Sequence, residues 1–466
     1  MPRSSVSLVL PAGAVLLAMA PLDGLQAQSN AELMAIIREQ QRQIDELSRK
    51  VEALQRQATE ATEKADAAAE TAQQVEEAQD FEFDLGPSPT IRSRDGNFEA
   101  HVRGRLLVDG GVIDDGDGFY SADNATELRS ARLGIEGTAW RDLGYKLEVD
   151  FADNEVDLAD AFIEYDGELV DPAFVRVGHF KPPNSLEEQT SNRFLTFMER
   201  AAFTDAFEFE RQIGLASGVT GDSWGISAGL FGQNAGDVEA NEGFTLAGRG
   251  HYALLNRLGQ NSVMHFGSSV RFRDLDNDVD GNSVRYRQRP FFHFTTTRSI
   301  DTGDIADAEN DVLLGGEAAL VSGPFSLQGE AAHTWLQRDG AADATGLWGG
   351  YLSTSYFLTG ESRTYDATEG VFDRIEVAHP VLEGGPGAWE IGARLDYLNL
   401  NDGGADIRGG AQYSAIAGIN WYFSNHVRFL LDYALTRVFN ARNTPAAVDG
   451  SSNVIHGVGA RAQVDF

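Results

Sequence analysis

The sequence has no cysteine in its 466 residues, so no disulfide framework holds it together, and the fold must rest on hydrogen bonding and packing. Lysine is nearly absent too: Lys50, Lys64, Lys146 and Lys181 are the only ones, and arginine carries almost all the positive charge. Positive charge as a whole is scarce. With 37 Lys and Arg against 71 Asp and Glu, the net charge is -34, which excludes nucleic acid as a partner, because such a binder needs a basic footprint. After the first 27 residues no apolar run reaches the roughly 18 residues a membrane-crossing helix requires, so a helical membrane protein is excluded. Histidines are scattered without metal-ligand spacing and no nucleophile-elbow motif occurs, so the sequence predicts neither an enzyme nor a resident cofactor.

What is present falls into segments. Residues 1–27 resemble a secretory signal: Arg3, an apolar stretch from Val6 to Ala20 broken by Pro11, and an exit near Leu25, Gln26 and Ala27. Residues 28–80 carry apolar positions at alternating steps of three and four, through Leu33, Ile37, Ile44, Leu47, Val51, Leu54, Ala58, Ala61, Ala65, Ala68, Ala72 and Val75, with Gln40 the polar exception. This is a heptad seam, and it predicts an α-helical coiled coil joining copies of the chain rather than a lone amphipathic helix. Ile or Val at one seam position and Leu at the other favour two strands. GPSP at 86–89 breaks the helix, so 81–97 reads as a linker.

From residue 98 to 466 the period becomes two. HVRGRLLV sets Arg103 and Arg105 against Val102, Leu106 and Val108; YKLEVDF sets Tyr145, Leu147, Val149 and Phe151 against Lys146, Glu148 and Asp150. Later, Trp389, Ile391, Ala393, Leu395 and Tyr397 oppose Glu390, Arg394 and Asp396. One face has aromatics toward its ends, as a lipid-facing band should, and the other has charges of both signs that a dry sandwich core would not tolerate. The reading is all-β: an antiparallel transmembrane β-barrel with a wet lumen.

Strand parity sharpens it. The tight links at 140–143, 220–223, 322–324 and 424–426 fall on one side only if 274–310 is one long loop and 359–387 a long turn, so SVRYRQRPFFHF (283–294) is no wall strand. About sixteen strands remain, an even number with both ends on the periplasmic side, which places the coiled coil in the periplasm. The final ARAQVDF alternates Ala460, Ala462, Val464 and Phe466 with Arg461, Gln463 and Asp465, and is expected to pair with the first strand. Period two also puts Arg271 and Arg273 in the lumen and Arg285, Arg287 and Arg289 on one side of the long loop.

The stretches ELRSARLGIEGTAWRDLGYKLEVDFA, LADAFIEY, VRVGHFKPPNSLEEQTSNRFLTFMERA, SGPFSLQGE and YFLTGE occur in order, and together they resemble the phosphate-selective porin family of the outer membrane. The resemblance implies a homotrimer of sixteen-stranded barrels embedded in lipid and lipopolysaccharide, passing small anions such as phosphate and pyrophosphate through an arginine-lined constriction. Inward folds are implied at 182–210, 274–310 and 359–387. It also implies that Arg129, Arg132 and Asp160 line the constriction wall, and that Lys181, Ser191, Arg193 and Arg200 lie on or beside the inward loop. Arginine suits oxyanions, because its planar fork donates two parallel hydrogen bonds and stays charged. The chain departs from the family at Ser130, where a second arginine is expected, at Asn192, which replaces a small hydroxyl residue, and in having no lysine after Lys181.

Two other readings stay open: a weakly selective general porin, given the acidic loops and the lumenal acids Asp160, Glu164, Glu390 and Asp396, and an envelope anchor in which the coiled coil does the task. DLDNDVDG places Asp276, Asp278 and Asp280 like the start of a calcium loop, but Arg287 stands where the bidentate glutamate belongs.

Overall fold

The computed structural model describes residues 30–78, 80–114, 123–236, 243–259, 262–275, 282–340, 344–441 and 452–466. The expected signal segment 1–27 and the triad Asp276, Asp278 and Asp280 lie outside the described residues. The chain divides into two units, Met1–Gln79 and Asp80–Phe466.

In the first unit Asn30–Ala78 is one helix of 49 residues (α1). It contains neither Gly nor Pro and is rich in Ala, Glu, Gln and Arg, all strong helix formers. Its seam residues Ile37, Ile44, Leu47, Val51 and Leu54 are each at least 50% exposed.

The second unit is a closed barrel. Its first strands are Phe98–Asp114 (β1), Asp123–Ala139 (β2), Leu143–Asp150 (β3), Asp157–Tyr165 (β4), Ala173–Phe180 (β5) and Gln212–Gly221 (β6). Trp224–Phe231 (β7), Thr245–Leu255 (β8), Ser262–Asp274 (β9), Ala308–Ser322 (β10) and Phe325–Arg338 (β11) follow. Thr345–Phe357 (β12), Ala388–Asp402 (β13), Ile407–Ser424 (β14), Val427–Phe439 (β15) and Ser452–Asp465 (β16) complete sixteen strands among the described residues. Each pairs antiparallel with the next, and β16 returns to β1 from His456 opposite Asp114 to Asp465 opposite Arg105.

Below Arg105 the first strand changes partner. Thr90–Ser93 pairs with it, from Thr90 opposite His101 to Arg92 opposite Glu99, and Phe81–Asp84 pairs with Thr90–Ser93 in turn. The stretch read as a linker therefore carries a hairpin that extends the wall.

Alternation explains why the sheet closes. On β11, Ser326, Gln328, Glu330, Thr334 and Leu336 are buried inward, while Phe325 and Trp335 are exposed outward. Leu395 and Ile226 stand outside at 66% and 60% exposure, a surface that water penalises and lipid accepts. Outward aromatics gather toward the strand ends, with Trp389 stacked on Trp421 at 5.5 Å near the short links and Trp348 against Tyr397 at 4.7 Å nearer the long loops.

Three connections turn inward and fill part of the lumen. Residues 181–211 join β5 to β6 and hold Leu186–Gln189 (α2) and Ala202–Ala206 (α3). Residues 282–307, the main described part of the link from β9 to β10, are the second, and 358–387, which join β12 to β13, are the third. The first two share an apolar core of Phe197, Met198, Phe203, Phe207, Tyr286 and Phe292, all nearly fully buried. Here lies the fate of SVRYRQRPFFHF: it pairs only within its own loop, Val284 with Ile305 and Arg287–Gln288 with Ile300–Asp301, and the Phe292 ring seats against Gly459 of β16, where a Cβ would come within 2.4 Å of it.

Candidate functional site

The site is built on the 181–211 loop, and wall carboxylates hold that loop by its main chain. The amide of Leu186 donates to Glu317 (2.7 Å), that of Glu187 to Glu330 (2.8 Å), that of Met198 to Asp432 (2.8 Å) and that of Ala202 to Asp396 (2.9 Å). Hydrogen bonds in so dry a setting are strong and fix position. Arg394 pairs with Glu187, and Arg461 grips both Asp109 (2.7 Å) and Glu199 (2.8 Å). Arg249, paired with the same Glu317 at 2.7 Å, donates to the Gly370 carbonyl at 2.7 Å and anchors the 358–387 turn.

What the loops leave open is two cavities. One, of about 690 Å³, opens among the long loops; the other, of about 290 Å³, lies toward the short links. Arg132, Glu188, Arg200 and Arg211 line both, so the cavities meet at that ring. The electrostatics of the two differ. The outer cavity has seven carboxylates (Asp150, Asp157, Glu188, Glu199, Asp205, Glu208 and Glu210) against the arginines 129, 132, 200, 211 and 289. In the inner chamber Arg103, Arg105, Arg132, Lys146, Arg176, Lys181, Arg200 and Arg211 face only Asp160, Glu188 and Glu369, so cations predominate among the side chains that line it.

The cations of the barrel wall are held from behind. Glu148 is nearly fully buried in the β3 wall and pairs with Arg105 at 2.8 Å, Arg132 at 3.4 Å and Arg103 at 3.7 Å. Asp150 takes Arg132 at 2.7 Å, and Asp160 takes Arg211 at 2.8 Å and Lys146 at 3.0 Å. Arg176 pairs with Glu164 at 2.7 Å and lies over the Phe162 ring. Arg105 also donates to Asn192, and Ser191 accepts from Arg193 at 3.2 Å. A guanidinium anchored through one edge keeps further donors for a ligand.

The loop groups are strongly perturbed. Burial pushes Lys181 down to about 7 against the pull of Glu188 at 2.8 Å. Burial would raise Glu199, but Arg129 (3.1 Å) and Arg461 outweigh it and bring it to about 2. Burial also raises Glu369, which discourages charge on one of the three chamber acids.

The structure gathers Arg103, Arg105, Arg132, Asp160, Lys181, Ser191 and Arg200 around the inner chamber, and Arg129 and Arg289 on the outer cavity. It takes the others elsewhere. Arg271 and Arg273 bind Asp311 and the end of the loop, with Arg271 on the Phe207 carbonyl at 2.6 Å and Arg273 on Glu208 at 2.7 Å. Arg285 pairs with Asp301 inside its own loop, Arg287 is exposed, and Arg193 turns toward Asp465 at 3.4 Å; none of these five lines either cavity. The expected lumenal acids Glu390 and Asp396 are sealed under the loop, Glu390 accepting from Asn420 at 2.8 Å.

Three chamber cations were not among the expected pathway residues. Lys146 stands on the charged face that alternation already gives YKLEVDF, and Arg176 falls opposite Val175 and Val177 in FVRVGHF, a parity that could have revealed it. Arg211 precedes β6 and gives no such signal.

The sequence profile of the phosphate-selective porin O and P family matches residues 101–466. An uncharacterized protein of Caulobacter vibrioides is 37% identical over 396 residues, 81% of this chain and 76% of that protein. Porin O of Pseudomonas aeruginosa is 26% identical over 400 residues, 78% of this chain and 89% of that protein. Among solved structures, the anion-selective porin from Comamonas acidovorans superimposes with a TM-score of 0.48 at 13% identity, over 79% of this chain and 99% of that one.

Proposed function

The chain belongs to the phosphate-selective porin O and P family, and from that membership we propose that it is an outer-membrane channel through which small anions of the phosphate class diffuse passively. The observation that carries this reading is the inner chamber, with eight cationic side chains against three carboxylates. An anion entering a pore loses water, and arginine forks replace it; several such sites in series let an ion enter, hop and leave. Arg132, Arg200 and Arg211 form the step between the two cavities, Arg129 and Arg289 receive the ion outside, and Arg103, Arg105, Lys146, Arg176 and Lys181 hold it within. Phosphate and pyrophosphate are the solutes this geometry suits best.

The same reading sets the short links, the chain ends of the barrel and α1 in the periplasm, and the lipid-facing girdles between the lipids and the lipopolysaccharide of the outer membrane. Three barrels assemble side by side, and the α1 seams of neighbouring copies pack as a coiled coil, which covers the apolar stripe that one helix leaves in water.

The acidic outer cavity favours a second reading, a weakly selective pore, because seven carboxylates at the entrance lower the local anion concentration. The reversal potential of the purified protein in a planar bilayer under a KCl gradient decides between them. Anion preference, with millimolar phosphate blocking chloride current, supports the phosphate channel; cation preference or an absence of block overturns it.

A further inference from the structure

Of the acids at the junction, Glu188 is unlike the rest. The carboxylates that hold Arg103, Arg105, Arg132 and Arg211 belong to barrel strands: Glu136, Glu148, Asp150 and Asp160. Glu188 belongs to α2 on the inward loop and lines both cavities. Its two oxygens lie 2.8 Å from Lys181 Nζ and 3.1 Å from Arg200 Nε. Among the described residues no other carboxylate forms an ion pair with either cation; their remaining contacts are main-chain oxygens, with Lys181 on the Glu188 carbonyl and Arg200 on those of Glu187 (3.0 Å), Glu188 (3.3 Å) and Thr190 (2.9 Å).

The carboxylate is also not what moors the loop. That work falls to the amides of Leu186 and Glu187, to the Ser185 hydroxyl on Glu330 (2.7 Å) and to Glu187, whose own carboxylate accepts from the Ala201 amide at 2.8 Å. The side chain of Glu188 can therefore leave its cations while α2 stays in place. Against burial, Arg200 and Lys181 hold its carboxyl below the usual range, so it is ionised at neutral pH.

We propose that the Glu188 carboxylate is a tethered anion seated in the permeation path, and that a passing oxyanion crosses the junction by displacing it from Lys181 and Arg200. The proposal rests on the anion-channel reading and adds the residue that sets how tightly and how selectively the junction binds. A permanently available internal competitor weakens the site for every ligand, which prevents the pore from being plugged by its own substrate. It also sorts ligands. A dianionic oxyanion can take over both cations at once, whereas chloride satisfies one and leaves the other to Glu188, so the tether favours multivalent oxyanions.

The test is phosphate block of KCl current in planar bilayers, on wild-type protein and on Glu188→Gln and Glu188→Asp, with heat-modifiable mobility on gels confirming a folded barrel. Removing the competing charge is expected to lower the half-blocking phosphate concentration by about tenfold, while Glu188→Asp stays within about twofold of wild type, a difference set by one unit charge at contact distance. An unchanged half-blocking concentration in Glu188→Gln, with anion-selective wild-type protein, overturns this proposal and leaves the channel reading intact. Cation selectivity of the wild type overturns the channel reading itself. If neither Glu188→Gln nor Glu188→Ser gives a folded barrel, the carboxylate is a structural tie and the proposal fails.

Discussion

Phe466 and Gly104 exchange two main-chain hydrogen bonds of 3.0 Å each, and the Phe466 ring lies so close over Gly104 that an added Cβ would stand 2.5 Å from it. This pair marks the point where β1 trades β16 for Thr90–Ser93, so the seam of the barrel depends on a residue without a side chain. Gly104→Val is expected to cost about 1 to 3 kcal/mol through overpacking. The temperature at which the barrel loses its compact mobility on gels should drop, and Phe466→Ala in the same chain should restore part of the loss. Equal temperatures for Gly104→Val and wild type would show that the ring has another place to go.

Arg132 touches both cavities and is held by Asp150 and Glu148. Arg132→Ala removes a positive charge and leaves those two carboxylates under-neutralised, so phosphate block should weaken by about tenfold or more, with Arg132→Lys losing less because charge survives without the fork. Arg271→Ala is the contrast, since Arg271 lines neither cavity: block should hold while thermal stability falls. Equal block in wild type and Arg132→Ala would remove Arg132 from the pathway.

Acidity should matter near neutrality. Burial brings Lys181 to about 7, and Glu188, Arg200 and Arg211 are the charged groups that face it. A cation with a depressed value is charged below it and neutral above, so between about pH 6 and 8 its charged fraction falls from roughly nine-tenths to one-tenth. Sulfate, whose own charge is constant there, should block chloride current less effectively as pH rises. A flat profile would mean that Lys181 stays charged or stands aside.

The absence of cysteine makes the α1 prediction simple to check. Leu47 lies on the seam, and Arg49 does not. Leu47→Cys should give disulfide-linked chains in oxidised membranes and Arg49→Cys should not; equal crosslinking at both positions, or none at either, speaks against a coiled coil.

Much of the barrel was legible: alternation sets Arg103 and Arg105 inward and Leu106 and Val108 outward, and the parity of the tight links excludes 283–294 from the wall, all as found. Parity says which face a side chain takes and nothing about what covers that face. Hence Glu390 and Asp396 read as pore acids, although the loop lies over them, and Arg271 and Arg273 read as pore cations, although they clamp that loop. The hairpin at 81–93 was hidden by GPSP, whose turn chemistry looks the same in a linker and in the loop of a hairpin. Arg211, just outside a strand, has no periodicity to betray it.

The way in which the inward loop is fastened bears on how such a pore can change. Glu317, Glu330, Asp432 and Asp396 grip amides at Leu186, Glu187, Met198 and Ala202, and an amide is the same whatever side chain it carries. Mount and filter are thus separate parts: residues 188, 191 and 192 can be exchanged for other chemistries while the scaffold that presents them keeps its shape. A lineage can retune what passes through without relearning how to fold.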